Sequence, residues 1–377
     1  LARRDFTINA LAAPLSQWVS GPSREQIVDP FNGMGDLAKK RIKAVSPQVF
    51  HDDPGRLLRA IRLASSLQFL LEPETSQLIR REAHGITRVS PERLRDELLT
   101  ILAGDSARGQ LEVLDRLDLL CRVIPELAIT KGVDQPNAHY WDVWGHLLHT
   151  VEYAERITQG HQNSAVYTVV PWTAESDAHF NQEVSNRHNR RTILKLAALF
   201  HDIAKPQTKA QDETGRTRFL GHSEMGSEMT AARLSQLRLS SRGIEMVSKM
   251  VEQHLRPGNM RQGSEWPTNR AIYRYFRDVG DVAIDTLYLA MADYLAAKGP
   301  ELVSDDWNTH VRMIGHILHT GTLQAPPGKP NRLVTGLDLM QELNLSPGPL
   351  IGDLLEKISE ANAIGEITTR EGALSLA

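Results

Sequence analysis

The chain has 377 residues, 41% of them hydrophobic and 24% charged, a globular composition long enough for two to three domains and unlike fibrous, collagen-like or disordered chains. With 43 Lys and Arg against 46 Asp and Glu the formal net charge is −3, so the chain as a whole does not wrap duplex nucleic acid and any such contact must be local. The single cysteine, Cys121, excludes an intramolecular disulfide, and no apolar run is long enough to span a bilayer, which points to a reducing, cytoplasmic compartment.

The chain opens at Leu1 without an initiator Met and runs straight into LARRDFTINALAAPL, which reads as a truncated product. Over residues 1–48 short apolar stretches, a turn at Pro30, Gly33 and Gly35, and a strand candidate at Lys40–Val45 suggest the closing edge of a mixed α/β domain. From Asp53 the period becomes helical through Leu57, Leu58, Ile61, Ala64 and Leu67, with Asp52 or Asp53 as N-cap and Pro54 in the first turn. Gly55 would then lie within that helix and weaken it by up to about 1 kcal/mol relative to Ala. Further helices are predicted at 73–83, 91–103 (Ser90 as cap) and 107–120, making 49–133 an all-helical neck and body. After a turn at Asp134–Asn137 a second block, 134–324, carries helices near 142–157, 192–204, 222–238, 242–254 and 282–297. Its polar stretch 158–191, rich in Asn, Gln and His, reads as a mobile insertion. Ala325–Asn331, with three prolines, reads as a linker, and 325–377 as a tail with helices about 335–345 and 349–362. The predicted fold is therefore mainly α, with a residual α/β edge, a helical neck and body, an all-helical second block and a short helical tail. Residues 1–104 hold 15 Lys and Arg against 12 Asp and Glu, which makes the front the more plausible RNA-facing part.

Metal chemistry is suggested in the second block. His201 and Asp202 are adjacent at the end of the apolar stretch Ile193–Phe200, and His146, His222, His254 and Asp293 each fall on a separate predicted helix. Rigid helices aim such ligands at one interior point, and a carboxylate beside an imidazole can bridge two divalent ions that activate water and hold phosphate oxygens. Lys205, one turn beyond His201, is placed to steady a phosphate, so His201, Asp202 and Lys205 are the catalytic candidates. The plainer alternative for each His is a hydrogen-bonded core residue, for Asp293 an internal cap or ion pair, and for Lys205 a solvated helix-end cation. His149, His161, His179, His188, His310, His316 and His319 read as surface or packing residues. In the front, Asp53 and Arg56 lie three apart at a helix start, one offering acceptors and the other a fork of donors suited to a base edge. Arg59 and Arg62 continue the stripe toward phosphates, and Arg3 and Asn9 toward a triphosphate and ribose. The plainer alternative leaves Asp52 and Asp53 as caps, Arg56, Arg59 and Arg62 solvated, and Arg4 and Asp5 as a surface pair.

The ordered set His146, His201-Asp202, His222, His254 and Asp293, with LFHDIAKP and GHSEMG around it, resembles the HD-domain metal-dependent phosphohydrolases over about 137–300. The strings Arg3 to Ala12, Asp29-Pro30…Gly33…Asp36-Leu37 and Asp52 to Arg62 resemble the class II tRNA nucleotidyltransferases (CCA-adding enzymes) and the bacterial poly(A) polymerases similar to them. That resemblance implies nucleotide binding by Arg4, Asp5 and Asn9, and a protein template for CTP and ATP at Asp53 and Arg56. Val89 to Leu98 looks like the family's neck motif, with Arg93 and Glu97 as an i, i+4 pair, and Leu345 to Leu355 and Gly365 to Ala373 resemble its C-terminal part. The implied partners are tRNA, CTP and ATP, with no membrane and no protein partner. The implied cofactors are Mg²⁺ for nucleotidyl transfer and a divalent transition metal (Mn, Ni, Fe or Co) in the HD domain, which would hydrolyse phosphoesters such as 2′,3′-cyclic phosphates. In the family, two metal-binding carboxylates precede the Arg-Arg-Asp string; only Leu1 and Ala2 stand there, so the chain is expected to lack the Mg²⁺ ligands. Competing expectations are a poly(A) polymerase, a stand-alone HD phosphohydrolase and a non-catalytic tRNA-binding protein.

Overall fold

The computed structural model describes residues 1–15, 26–136, 138–160, 164–185, 187–261, 266–324 and 333–377. At the front, Phe6, Ile8, Ile42 and Ala44 are buried, and isolated antiparallel bridges join Phe6 to Ala44 and Ala12 to Val28. The helix Gly33–Ala38 starts where Asp29 accepts hydrogen bonds from the Gly33 and Met34 amides. A Cβ on Gly33 would lie 2.2 Å from the Thr7 carbonyl oxygen, so only glycine lets this helix reach the 7–9 turn. The strand expected over Lys40–Val45 is confined to β1 (Arg41–Ile42), which pairs in parallel with β2 (Leu70–Leu71) inside the region expected to be purely helical.

Four helices build the neck and body: α1 (Arg56–Leu67), α2 (Pro73–Glu82), α3 (Pro91–Ala103) and α4 (Ala107–Arg116). Neither Asp52 nor Asp53 caps α1. Asp52 ends the short helix Val49–Asp52, and Gly55 is the N-cap, outside the helix rather than within it. Ser90 precedes α3 without a side-chain cap bond, and the helix expected over 107–120 ends at Arg116, with Leu120–Val123 a separate turn.

The second block contains α5 (Val143–Ile157), α6 (Arg190–Phe200), α7 (His222–Gln236), α8 (Ser241–Gln253), α9 (Asn269–Val279), α10 (Ala283–Lys298) and α11 (Ser304–Gln324). The side chains of Asp142, Asn189, Ser240 and Thr268 cap α5, α6, α8 and α9 by accepting backbone amides. Gly280 and Gly299, both at positive φ, end α9 and α10. Helix α10 is apolar on nearly every side and accordingly lies in the middle, against α5, α6, α8 and α11.

The stretch 158–191 is not a loose insertion. Tyr167, Val170 and Phe180 are buried, and Trp172 and Tyr288 pack around Phe180. A buried network fastens the end of the stretch: Arg190 donates to Asp285 at 2.8 Å and pairs with Asp281, while the His179 ring nitrogen lies 2.9 Å from Asp285. Arg190 and His179 are polar residues satisfied inside the fold, while Gln159, Glu175, Asn181, Gln182 and Glu183 face solvent. The expected linker 325–331 and His161 lie outside the described residues. The tail folds as α12 (Gly336–Glu342), α13 (Pro349–Ala363) and α14 (Arg370–Leu376) around its own apolar cluster of Val334, Leu339, Ile351, Leu354, Ile358 and Ala373.

Beside the shared apolar core, a buried carboxylate ties body to second block. Glu155 on α5 accepts the Ser106 and Ala107 amides at the start of α4 (2.7 and 3.0 Å) and binds Lys195 of α6 at 3.0 Å. Lys195 also donates to the Gly104 carbonyl at 2.9 Å, and both charged side chains are buried. Replacing Glu155 with Gln leaves Lys195 buried without a counter-charge, so Glu155→Gln should cost about 3 kcal/mol, read as a lowered midpoint in urea unfolding.

Candidate metal centre and nucleotide pocket

Helices α5, α6, α7, α8 and α10 bring His146, His201, Asp202, His222, His254 and Asp293 to one point at the floor of a cavity of about 800 Å³. Asp202 stands between two groups. Its Oδ2 lies 3.3 Å from His146 Nε2 and 3.2 Å from His201 Nε2, with Asp293 Oδ1 2.9 Å from His146 Nε2. Its Oδ1 faces the other way, 3.2 Å from His222 Nε2 and 3.6 Å from His254 Nε2.

Tautomers follow from the outer partners. The Nδ1 atoms of His201, His222 and His254 each meet a backbone carbonyl, of Ala198, Phe219 and Val251, at 2.9, 2.6 and 2.6 Å. A carbonyl only accepts, so each Nδ1 carries a proton, and wherever the ring is neutral its Nε2 presents a lone pair to the centre. Asp202 Oδ1, His222 Nε2 and His146 Nδ1 are buried without a hydrogen-bond partner, an expensive arrangement that a coordinated cation relieves. The groups His146, His201 and Asp293, and Asp202, His222 and His254, each place ligand atoms within 4.8 Å of one another. This mixed imidazole and carboxylate set fits divalent transition metals.

Electrostatics agree. Burial opposes charge on Asp202, yet Lys205, at 2.5 Å, and the His201 and His146 rings hold its carboxyl well below the usual range. Burial likewise opposes an imidazolium at His201, but Asp202 and Asp293 push its pKa up to about 10. His254 moves down because burial outweighs its carboxylate neighbours. Lys205 is not a solvated end: it is buried, and its second partner is Gln135 Oε1 at 2.6 Å.

Sequence reasoning missed two rings. His139 precedes α5 in irregular chain, where no period marks it, yet its ring meets that of His146 edge-on and a ring nitrogen falls within 4.8 Å of ligand atoms of His146 and Asp202. Burial and nearby Lys205 lower its pKa to about 4, so it is neutral. His310, assigned to packing or surface, lines the cavity and stacks on Tyr294 with centroids 4.4 Å apart. Its position on α11, a helix absent from the sequence reading, explains the omission. His149, by contrast, stacks on Trp141 as a packing residue.

At the front, Arg4, Asp5, Asp53, Arg56 and Arg59 line a second, smaller pocket of about 210 Å³ together with Arg3 and Arg93. Arg59 donates to Asp5 at 2.7 Å, and Asn9 donates to the other oxygen of Asp5 at 3.1 Å while its carbonyl accepts from Arg4. Arg4 and Asp5 are therefore not a pair. Arg62 turns away from the pocket onto Glu97, at 2.5 Å. The expected Arg93–Glu97 pair is replaced by a two-pronged bond from Arg93 to Asp53, at 3.0 and 3.1 Å. A Cβ on Gly55 would sit 2.3 Å from Arg93 Nη2, so the glycine makes room for this guanidinium. Arg56 donates to the Arg3 carbonyl at 3.0 Å, which leaves its Nε 3.7 Å from Asp53.

Burial works against charge on Asp53, but Arg93, the Gly55 amide and Arg56 hold its carboxyl below the usual value. A carboxyl depressed in the folded chain adds stability that is complete above the unfolded value of about 4 and is lost as pH falls through the folded value. Wild-type stability should therefore decline more steeply below about pH 4 than that of Arg93→Gln, with the curves parallel above it, in urea unfolding followed from about pH 7 to about pH 3.

Comparison with known proteins places these features in a family. The Poly A polymerase head domain model matches residues 1–43, the model described as a probable RNA and SrmB-binding site of polymerase A matches 68–130, and the HD domain model matches 143–298. The A-adding tRNA nucleotidyltransferase of Deinococcus radiodurans is 31% identical, covering 99% of this chain and 77% of that protein. The CC-adding tRNA nucleotidyltransferase of Thermus thermophilus is also 31% identical, covering 99% and 75%. The fold is shared with the Thermotoga maritima CCA-adding enzyme complexed with tRNA (TM-score 0.55, 20% identity, 99% of this chain and 71% of that one). It is shared too with the Bacillus stearothermophilus CCA-adding enzyme in complex with CTP (TM-score 0.54, 20% identity, 100% and 72%). Among the described residues no helix is long and apolar enough to cross a membrane. Matched along nearly its whole length at this identity, the chain belongs to the tRNA nucleotidyltransferase family, and it carries an HD domain.

Proposed function

We propose that the HD domain hydrolyses phosphoesters at RNA ends, 2′,3′-cyclic phosphates among them, and that the front pocket receives CTP or ATP for addition to a tRNA 3′ end. The observation that carries the first half is the placement of Asp202, each of whose oxygens faces its own group of imidazoles. His146, His201 and Asp293 would hold one divalent ion, His222 and His254 a second, and Asp202 would touch both. Bound there, such ions supply positive charge for the phosphate oxygens and lower the pKa of water. The chain's own residues do the rest. Lys205 fixes Asp202, and the carbonyls of Ala198, Phe219 and Val251 fix the orientation of the His201, His222 and His254 rings. Arg216, Arg261 and Lys298 line the cavity as cations for phosphates, and Phe219 and Tyr294 give it aromatic surface for a base.

In the front pocket Asp53 and Arg56 offer acceptor and donor to a base edge, with Arg4 and Arg59 toward the phosphates. Asp5 and Asn9 brace that pocket from beneath, and Arg62 acts through Glu97. Mg²⁺ does not find a ligand set among the described residues of 1–48: Asp5 is engaged by Arg59 and Asn9, Asp29 by two amides, and Asp36 by Thr7 and Arg41. One relative is A-adding and another CC-adding, and in this reading the choice of base in this chain is made at Asp53, Arg56 and their surroundings.

The test for the HD domain is turnover of a 2′,3′-cyclic nucleotide and of a tRNA ending in a 3′ phosphate, with Mn²⁺, Ni²⁺, Mg²⁺ or EDTA. Metal-dependent turnover should fall by about 10²-fold or more in Asp202→Asn, with bound metal lost alongside; a folded wild-type chain inert with every metal would refute the reading. For the front pocket, Arg56→Lys should weaken CTP and ATP binding by about tenfold in equilibrium titration, because a point charge cannot replace the guanidinium fork.

A further inference from the structure

Helix α9 presents two opposed faces. Ile272, Tyr275 and Val279 are buried in the main core, while Arg270, Arg274 and Arg277 stand at i, i+4 and i+7 on the other side. The tail lies over that side with carboxylates in matching order. Arg270 and Arg274 clamp the two oxygens of Glu360 at 2.8 and 2.9 Å, Arg270 reaches Glu366 at 2.8 Å, and Arg277 pairs with Glu356. Tyr273 Oη adds a hydrogen bond to Ser359 at 3.2 Å.

What joins tail and body here is charge rather than apolar packing. Among the described residues the tail's apolar cluster is separate from the main core, and no α9 side chain belongs to it. The guanidinium side chains keep between 35 and 53% of their surface exposed even under the tail. Exposed ion pairs such as those of Glu356 and Glu366 are screened by salt and individually weak, so these parts of the cover are removable, while Glu360 is buried between two guanidinium groups that a competing anion would have to take over. Three guanidinium forks on successive turns match an anion that repeats along a line, and a planar fork suits phosphate as well as carboxylate. At the C-terminal end of α9, Asp278 binds Arg256 at 2.7 Å, which joins this helix to the segment just after α8.

We propose that the arginine face of α9 is a binding site for an RNA phosphodiester backbone, covered in the free chain by the tail's Glu356, Glu360 and Glu366, and that RNA displaces the tail from it. The inference rests on the RNA-acting reading above, but its readout requires neither active site to turn over.

The experiment measures equilibrium binding of a tRNA transcript lacking its terminal CCA to the full chain across a salt series. The variant Glu356→Gln/Glu360→Gln/Glu366→Gln removes the cover without touching the tail's own core. It should bind about tenfold tighter at low salt, with a salt slope steeper by up to about three. Asp353→Asn/Glu371→Gln/Glu301→Gln removes equal charge from other exposed positions and should stay within about twofold of wild type. Arg270→Glu/Arg274→Glu/Arg277→Glu should bind more weakly than wild type. Equal gains in the two neutralised variants would overturn the proposal by reducing it to net charge. Polyglutamate competing as well as polyuridylate would overturn it in favour of an acidic protein partner. Wild type that fails to bind the transcript would sink the RNA-acting reading and this site together, whereas firm wild-type binding with no gain on uncovering would sink this site alone.

Discussion

Two carboxylates, Asp202 and Asp293, are held in the middle of a helical bundle, and a carboxylate there survives only beside positive charge. Most of the second block can be understood as the answer to that constraint. Lys205 and a protonated His201 supply the compensation in the free chain, and the His222 and His254 rings, with Nδ1 on a carbonyl, turn Nε2 inward. The helices that carry the rings stop or start at the centre: α6 ends just before His201, α7 begins at His222, and α8 ends just before His254. At the ends of α6 and α8 the carbonyls of Ala198 and Val251 take the Nδ1 atoms of His201 and His254, so there helix ending and ligand orientation are one arrangement, while His222 uses the Phe219 carbonyl of the strand before α7.

The front pocket solves a different problem, that of keeping two opposite charges near each other without letting them neutralise. Arg93 takes Asp53, the Arg3 carbonyl takes Arg56, and Gly55 leaves the space in which this sorting happens. Helix α3, which contributes Arg93, also contributes Glu97 to Arg62 and sends Arg95 to the Arg238 carbonyl, so it touches the pocket, α1 and the turn between α7 and α8.

The second block was largely legible in the sequence because its ligands fall at helix ends or on apolar helices, where a polar residue stands out. His201-Asp202 after seven apolar residues in eight, and Asp293 within α10, are conspicuous for that reason. His139 was not legible, since it lies in irregular chain, and His310 was not, since α11 mixes polar and apolar residues without a clean stripe. The stretch 158–191 is less legible because composition does not distinguish an exposed polar residue such as Glu175 from His179 or Arg190, which bind Asp285 of α10. The partner of Arg93 was misread because i, i+4 spacing makes Glu97 a neighbour, whereas the bond formed spans 40 residues, a relation that only the folded chain contains.

The apolar core has a further meaning. It runs without interruption from Phe6 at the front, through Leu57, Leu111 and Leu147, to Ile317 near the end of α11. Segments matched by three separate family models thus share one interior. The boundaries between them are divisions of chemistry rather than of folding, and a cut between neck and HD domain would open a wound in both pieces. Residues 1–43, helix α1 and the cluster around Asp202 should accordingly be lost in one cooperative transition, with the tail, which has an interior of its own, free to melt by itself.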